Sequence, residues 1–440
     1  MTLRLALLAG LSLAALTTSA LADPQAFDAV LTGHAVLPAQ TFAVPPADAP
    51  ASLAVSGRFT AEGANAGRRV DQLNAIFDEK TGLSRPFVGQ PVQGFSGIRA
   101  LGDGTYVVLT DNGFGAKANS ADAMLMFHIV RPDWATGRVD VVKTVFLKDP
   151  NRAVPFRIVN ENTAERYLTG ADLDTESIQK VGDHYFIGDE FGPYLIEVAA
   201  DGTVLALKDT VVGGVTYRSP DNYAVVMPAS PDKPLPEFNV RRSKGFEGMA
   251  LSPDGKTLYP MLEGAPWDAK AGKPVEKSGR AVLPIFTFDV ASKAFGDTTI
   301  YYPLEDASNS IGDFNMIDDH RALVIERDQN AGGDWAAKPA KLKRVYLIDM
   351  KATDADGVVK KIGYIDLMAI KDPNGVSRTG SANGVFTFPF ETIENVDRID
   401  ETHIIVADDN NFPFSVGRAK GKADNNEFIV LDVAEFLKAE

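Results

Sequence analysis

A short unit recurs five times along this chain, and it constrains the possible folds more than any bulk property. Gly94-Phe95-Ser96-Gly97-Ile98 leads through Asp103-Gly104 to Leu109-Thr110-Asp111-Asn112. Asp174-Thr175-Glu176-Ser177-Ile178 leads to Ile187-Gly188-Asp189-Glu190. Gly245-Phe246-Glu247-Gly248-Met249 leads through Asp254-Gly255 to Met261-Leu262-Glu263-Gly264. Ile311-Gly312-Asp313-Phe314 leads to Ile325-Glu326-Arg327-Asp328, and Thr392-Ile393-Glu394-Asn395 leads to Ala407-Asp408-Asp409-Asn410-Asn411. Each unit reads as a polar residue, a strand, a tight turn, a second strand and an acidic residue. The polar residues Ser96, Glu176, Glu247, Asp313 and Glu394 are 80, 71, 66 and 81 residues apart. That spacing suits four-stranded blades with variable loops, and so an all-β fold of the β-propeller type. Six blades are expected, the sixth from Leu53 to Thr60 closing with the C-terminal strand. Only five copies of the pattern are visible, so five and seven stay open.

The rest of the chain agrees with a β fold. Short alternating apolar runs recur, such as Tyr106 to Leu109, Val345 to Ile348 and Ile404 to Val406. Asp-Gly and Asn-Gly turns stand between such runs. Only Asp432 to Ala439 reads as a short helix. Arg4, the apolar run Leu5 to Leu16 and Ala20-Leu21-Ala22 read in order as a cleaved export signal. The expected organisation is therefore a signal peptide over 1–22, a Pro/Ala-rich lead-in over 23–52 and the propeller over 53–440. Export implies a periplasmic or secreted protein. No later stretch is apolar enough for a membrane span.

The chain has no cysteine, which excludes disulfides, zinc thiolates and cysteine nucleophiles. Asp and Glu outnumber Lys and Arg by 59 to 44, a net charge of −15. Nucleic acid and anionic membranes are poor partners for such a chain, whereas cations are good ones. A monomer acting on a small molecule is expected.

If each unit is an antiparallel hairpin, the start of its first strand lies beside the end of its second. Glu247 is then expected beside Glu263, Glu176 beside Asp189, Asp313 beside Glu326, Glu394 beside Asp408, and Ser96 beside Asp111. In a propeller these pairs share one rim of the central channel. Carboxylates so placed repel one another. Bound Ca²⁺ can resolve the repulsion. Neutralisation by Arg99, Arg241, Arg242, Lys244 and Arg327 is the alternative, and the same acids could instead cap turns.

Together the segments GFSGI…LTDNG, DTESI…GDEFGPYL, KGFEGMALSPDG…LEG, IGDF…VIERDQN and TIENV…VADDNN resemble the family called esterase-like activity of phytase, over roughly Ser56 to Leu437. The resemblance implies a propeller, hydrolysis of an ester or phosphoester, and, by analogy with β-propeller phytases, Ca²⁺. The D-D-P-A-[ILV]-W segment of those phytases is absent, which leaves phytate itself out of what is implied. The expected metal ligands are Asp111, Glu176, Asp189, Glu247, Glu263, Asp313, Glu326, Glu394 and Asp408. Catalysis is expected from Glu247, Glu263 and Asp408, and substrate binding from Arg241, Arg242 and Arg327, since arginines can clamp phosphate oxygens.

Three other readings remain. A serine esterase would use Ser96, but there is no G-x-S-x-G elbow, and His184, His320 and His403 fall in turns away from the acidic rim. A lactonase-like site would hold one metal on Glu247, Asn112 and Asp408. A non-enzymatic propeller would simply bind a cation or a ligand.

Overall fold

The computed structural model describes residues 23–59 and 75–440. The expected signal peptide lies outside the described residues. Strands dominate, and the α-helix is Ala434–Leu437, within the expected terminal helix.

Each repeat unit forms the inner hairpin of a four-stranded sheet. Blade 1 consists of Phe95–Ala100, Tyr106–Thr110, Met126–Asp133 and Arg138–Phe146. Blade 2 consists of Thr175–Val181, His184–Asp189, Tyr194–Ala199 and Val204–Asp209. Blade 3 consists of Phe246–Leu251, Thr257–Leu262, Arg280–Ile285 and Ile300–Pro303. Blade 4 consists of Ser310–Met316, Arg321–Arg327, Lys343–Thr353 and Val359–Asp366. Blade 5 consists of Thr392–Arg398, His403–Asp409, Asn426–Asp432 and, from the far end of the chain, Val30–Leu37.

The first strand of each blade packs against the first strand of the next, and blade 5 returns to blade 1. Among the described residues the ring therefore has five blades rather than the expected six. Leu53 lies in a single 3₁₀ turn, Ala51–Ala54, and Val55–Ser56 pairs with Phe87–Val88, so the described part of this stretch, up to residue 59, builds no blade. The number of blades equals the number of repeat units.

Residues 23–52 also differ from the expected lead-in. Val30–Leu37 runs antiparallel to Asn426–Asp432 and completes blade 5, and Gln25–Phe27 adds a parallel edge to blade 4. Leu31, His34 and Ala35 are fully buried in this closure. His34 Nε2 lies 3.1 Å from Glu427, whose carboxylate also receives Arg418 at 2.6 and 2.9 Å. A closing strand from the opposite terminus ties both chain ends into one sheet, which removes an open edge.

Local chemistry explains the inner hairpins. Gly104 and Gly255 turn with φ of +80° and +71°, which glycine adopts at little cost. The preceding Asp103 and Asp254 accept the N–H groups of Thr105 and Lys256 at 3.0 and 3.1 Å. The middles of the second strands are apolar, as in Val107, Val108 and Leu109, because each is covered on both faces by neighbouring blades.

Closure by Val30–Leu37 has a measurable consequence. Leu31→Ala should lower the unfolding free energy by about 2–4 kcal/mol, because it leaves a cavity in the shared core of blades 4 and 5. Val44→Ala, at a site 86% exposed, should change it by less than about 0.5 kcal/mol. Urea unfolding of both variants checks this, and equal effects would contradict the closure.

Candidate functional site

The first strand of every blade carries an irregularity at the same place. In blade 2, Thr175 pairs with Asp189 and Ser177 with Gly188, which leaves Glu176 as an extra residue. Glu247 is left over in the same way between Phe246 and Gly248, and Glu394 between Ile393 and Asn395. Blade 1 shifts register around Ser96 and Gly97, and blade 4 around Gly312 and Asp313. A β-bulge re-aims the side chain of its extra residue, and here three bulged glutamates converge on the axis. Glu176, Glu247 and Glu394 offer oxygens that all lie within 4.8 Å of one another.

Two further triads interlock with that one. Asp174, Glu176 and Glu190 form one, and Glu190, Glu247 and Glu263 the other, both within the same 4.8 Å limit. Asp111 and Asp409 stand beside them, each in electrostatic contact with Glu394. At about 4.8 Å, two unit charges repel by roughly 3–4 kcal/mol at an effective dielectric near 20. Several such pairs would consume a large part of a typical folding free energy. Protons, basic side chains or metal cations must therefore offset them.

Basic side chains serve one half of the cluster. Arg327 Nη2 lies 2.6 Å from Glu394, 3.4 Å from Glu263 and 3.9 Å from Glu247. Lys244 pairs with Glu263. Ser96 donates to Glu394 Oε2 at 3.0 Å. No ion pair is formed by Asp174, Glu176 or Glu190 among the described residues. Asp174 Oδ1, Glu190 Oε1 and Glu247 Oε1 are buried without a hydrogen-bond partner. Such oxygens suit a hard cation, and the absence of His and Cys from the three triads favours Ca²⁺ or Mg²⁺ over zinc.

Burial dominates protonation at most of these acids. Burial, reinforced by the neighbouring acids, pushes Glu176, Glu190, Glu247, Asp111 and Asp409 well above the usual carboxylate range. Burial raises Asp174 to about 6, against hydrogen bonds from Glu176 and Asn112. Glu263 is the exception. Burial acts to raise it, but Lys244 and Arg327 outweigh burial and hold it below its ordinary value.

Five of the nine expected ligands face this cluster: Asp111, Glu176, Glu247, Glu263 and Glu394. Asp189, Asp313, Glu326 and Asp408 do not. Asp189 accepts the backbone N–H groups of Asp174 and Gly192, each at 2.7 Å. Glu326 is held by Lys361 at 2.7 Å and by Tyr302 and Asn309, each at 2.8 Å. Asp408 accepts the Glu427 N–H at 2.5 Å. Asp313 accepts Val396 N–H at 2.9 Å and so clamps blade 4 to blade 5. Of the expected neighbour pairs, Glu247 with Glu263 meets at the cluster, while Asp189, Glu326 and Asp408 point the other way.

The physical reason is parity. Adjacent strand residues face opposite sides, so a one-residue slip reverses the side chain. The residues that reach the axis are Glu190, Arg327 and Asp409, each one position later than expected. Asp174 was also missed. Aligning Asp111-Asn112-Gly113 with Glu190-Phe191-Gly192 and Asp409-Asn410-Asn411 is the sequence signal that finds Glu190 and Asp409.

The expected substrate-binding arginines separate. Arg327 is buried among three glutamates. Arg242 pairs with Asp221 at the surface, and Arg241 lines a groove beside Glu263. No histidine is a hydrogen-bond partner of Ser96 among the described residues, so Ser96 lacks the imidazole base of a serine-esterase triad; its partner is Glu394, which is itself paired with Arg327.

An acidic β-propeller with interlocked carboxylate triads is the class that this fold and site define. The family model for Phytase-like proteins, described as esterase-like activity of phytase, matches residues 90–412, and the chain belongs to that family. An uncharacterized secreted protein of Arthroderma benhamiae is 33% identical over 103 residues, covering 21% of this chain and 20% of that protein. Among solved structures, a luciferin-regenerating enzyme aligns with 9% identity and a TM-score of 0.32, over 78% of this chain and 92% of its own. Hydrazine synthase of Kuenenia stuttgartiensis aligns with 11% identity and a TM-score of 0.30, over 77% and 80%. Likeness at that level carries no functional argument.

The raised acids give a pH prediction. Their folded-state values exceed those of the unfolded chain, so their contribution is greatest at low pH and is lost as pH rises through the folded value. In EDTA, the melting midpoint should fall as pH rises through about 6, where Asp174 ionises. With millimolar Ca²⁺ that fall should disappear, since the ion binds the ionised form. Thermal melts at matched ionic strength check this, and superimposed curves would count against a cation site.

Proposed function

We propose that this protein is an exported hydrolase that cleaves a phosphoester or ester beside a Ca²⁺ ion held by Asp174, Glu176 and Glu190. The observation that carries this reading is that Asp174, Glu176 and Glu190 lie within one triad without forming an ion pair among the described residues, with Asp174 Oδ1 and Glu190 Oε1 buried and unpartnered. Family membership supports ester or phosphoester hydrolysis. The leader-like residues 1–22 and the partial match to a secreted protein support export. No helix among the described residues is long and apolar enough to cross a membrane.

The bound ion would supply charge stabilisation to substrate oxygens. The chain's own residues divide acid and base roles. Glu263, held ionised by Lys244 and Arg327, accepts a proton from the attacking water. Glu247, raised by burial and neighbouring acids, carries a proton that it can give to the leaving oxygen. Neighbouring carboxylates with opposite shifts are the usual basis for such a division. Arg327 orients both through its shared Nη2. Asp408, assigned to catalysis in the sequence reading, stands outside this machinery and braces blade 5. Its placement also disfavours a single metal on Glu247, Asn112 and Asp408.

Glu190→Gln should weaken Ca²⁺ binding at least tenfold by calorimetry, whereas Glu435→Gln, on the exposed terminal helix, should leave it unchanged. Glu247→Gln should retain Ca²⁺ binding within a few fold and lower kcat by about 10²–10⁴ on a chromogenic ester. Phosphomonoester, phosphodiester and carboxylic ester substrates are to be tried in turn. Calcium binding without turnover of any would replace the hydrolase with a cation-binding propeller.

A further inference from the structure

The buried cluster needs a way in, and the structure leaves one side open. Beyond blades 1 and 5, Phe59, Phe87, Phe114 and Phe412 pack into an aromatic plug, with ring centres 4.9 Å apart for Phe87 and Phe412 and 5.2 Å for Phe59 and Phe114. Beside blade 2, the segment 217–244 is docked by Ser219 N–H and Asn222 Nδ2, each 3.0 Å from the Gly192 carbonyl. Between blades 3 and 4 lies a groove of about 410 Å³. Of the cluster acids, Glu263 alone among the described residues lines it.

The chemistry of the groove differs from that of the cluster. Arg241, Lys244, Ser308, Ser310 and Gln329 line it beside Glu263, and Glu276 stands at its outer end, where it also lines the adjoining hollow and pairs with Lys273 at 2.6 Å. Lys244 Nζ lies 3.3 Å from Ser310 Oγ, and Gln329 Nε2 donates to the same oxygen at 2.9 Å. Lys244, Ser310 and Gln329 thus meet beside Glu263, with which Lys244 already pairs, and Arg241 and Ser308 line the same groove. The groove runs on past Ala281 and Leu304 into a second hollow of about 450 Å³ that reaches Arg280, so a substituent has room outside.

We propose that this groove admits the substrate and that Lys244 and Arg241 bind its phosphoryl group there, with Ser310 and Gln329 as neutral donors. The substrate class rests on the hydrolase reading above, while the residues rest on the groove. The substrate is then a phosphoester whose organic part lies outward between blades 3 and 4. Lys244 keeps its pair with Glu263, and the remaining N–H donors of its ammonium group reach the phosphoryl oxygens. Charge-assisted contacts of this kind are the strong ones in a half-buried groove.

Calorimetric titration of the full chain with phenylphosphonate, in Ca²⁺ and in EDTA, tests this. Lys244→Met and Arg241→Met should each weaken binding at least fivefold, and Arg242→Met, which pairs with Asp221 instead, should not. Arg241 is exposed, so its variant remains informative even if Lys244→Met lowers the melting midpoint. Unchanged affinity in the Arg241 and Lys244 variants, or no binding in either buffer, would overturn the groove. Benzoate binding as tightly as phenylphosphonate would overturn the phosphoryl assignment. Calcium titration of the same samples separates the two readings. Calcium binding without phosphonate binding removes the groove alone. Phosphonate binding that depends on Lys244, without any calcium binding, supports the groove and removes the metal.

Discussion

Mutual repulsion among buried carboxylates is the constraint to which the rest of this molecule answers. Asp111, Asp174, Glu176, Glu190, Glu247, Glu263, Glu394 and Asp409 gather around one axis, and Arg327 and Lys244 compensate only part of that charge. The uncompensated part must carry protons or a cation. Protonation state, cation affinity and stability are therefore one linked equilibrium, and the acid and base roles of Glu247 and Glu263 follow from their cations: Glu263 has both Lys244 and Arg327, whereas Glu247 has only Arg327, at 3.9 Å.

Such a cluster can exist only on a scaffold stiff enough to hold it. The five first strands approach one another so closely that a Cβ on Gly312 would overlap the Ile393 carbonyl, and one on Gly248 would meet Phe314. Clamps tie neighbouring blades at the residue after the bulge. Ser177 reaches the Phe246 carbonyl at 3.3 Å, Asp313 the Val396 N–H at 2.9 Å, and Asn395 the Phe95 carbonyl at 2.5 Å. The bulge thus serves two ends at once. It turns one glutamate toward the axis and positions the next residue to bind the adjoining blade. Closure of blade 5 by Val30–Leu37 completes the circle that these clamps require.

Much of this was legible in the chain alone. Five units with alternating apolar strands and Asp-Gly turns specify hairpins of one kind, because strand periodicity and turn chemistry are local properties. Recurrence of an acid at the same phase marks a shared rim, and Glu247, Glu263 and Glu394 are found there. The family resemblance rests on the same residues. What was not legible is the parity at the bulges. One unpaired residue per first strand decides whether Asp189 or Glu190, and Asp408 or Asp409, reaches the axis, and both members of each doublet are acidic.

Two other features arise only when distant segments meet. Val30–Leu37 lies nearly 400 residues from its partner Asn426–Asp432, and no local pattern assigns it to that edge. Arg327 comes from blade 4, Glu247 and Glu263 from blade 3 and Glu394 from blade 5, so the division of the cluster into a neutralised half and a free half appears only at the axis. Local hydrogen bonding and hydrophobic periodicity therefore dictated the strands, the turns and the approximate rim. Burial, close approach and the pairing of charges, which depend on the whole ring, selected the acids that act.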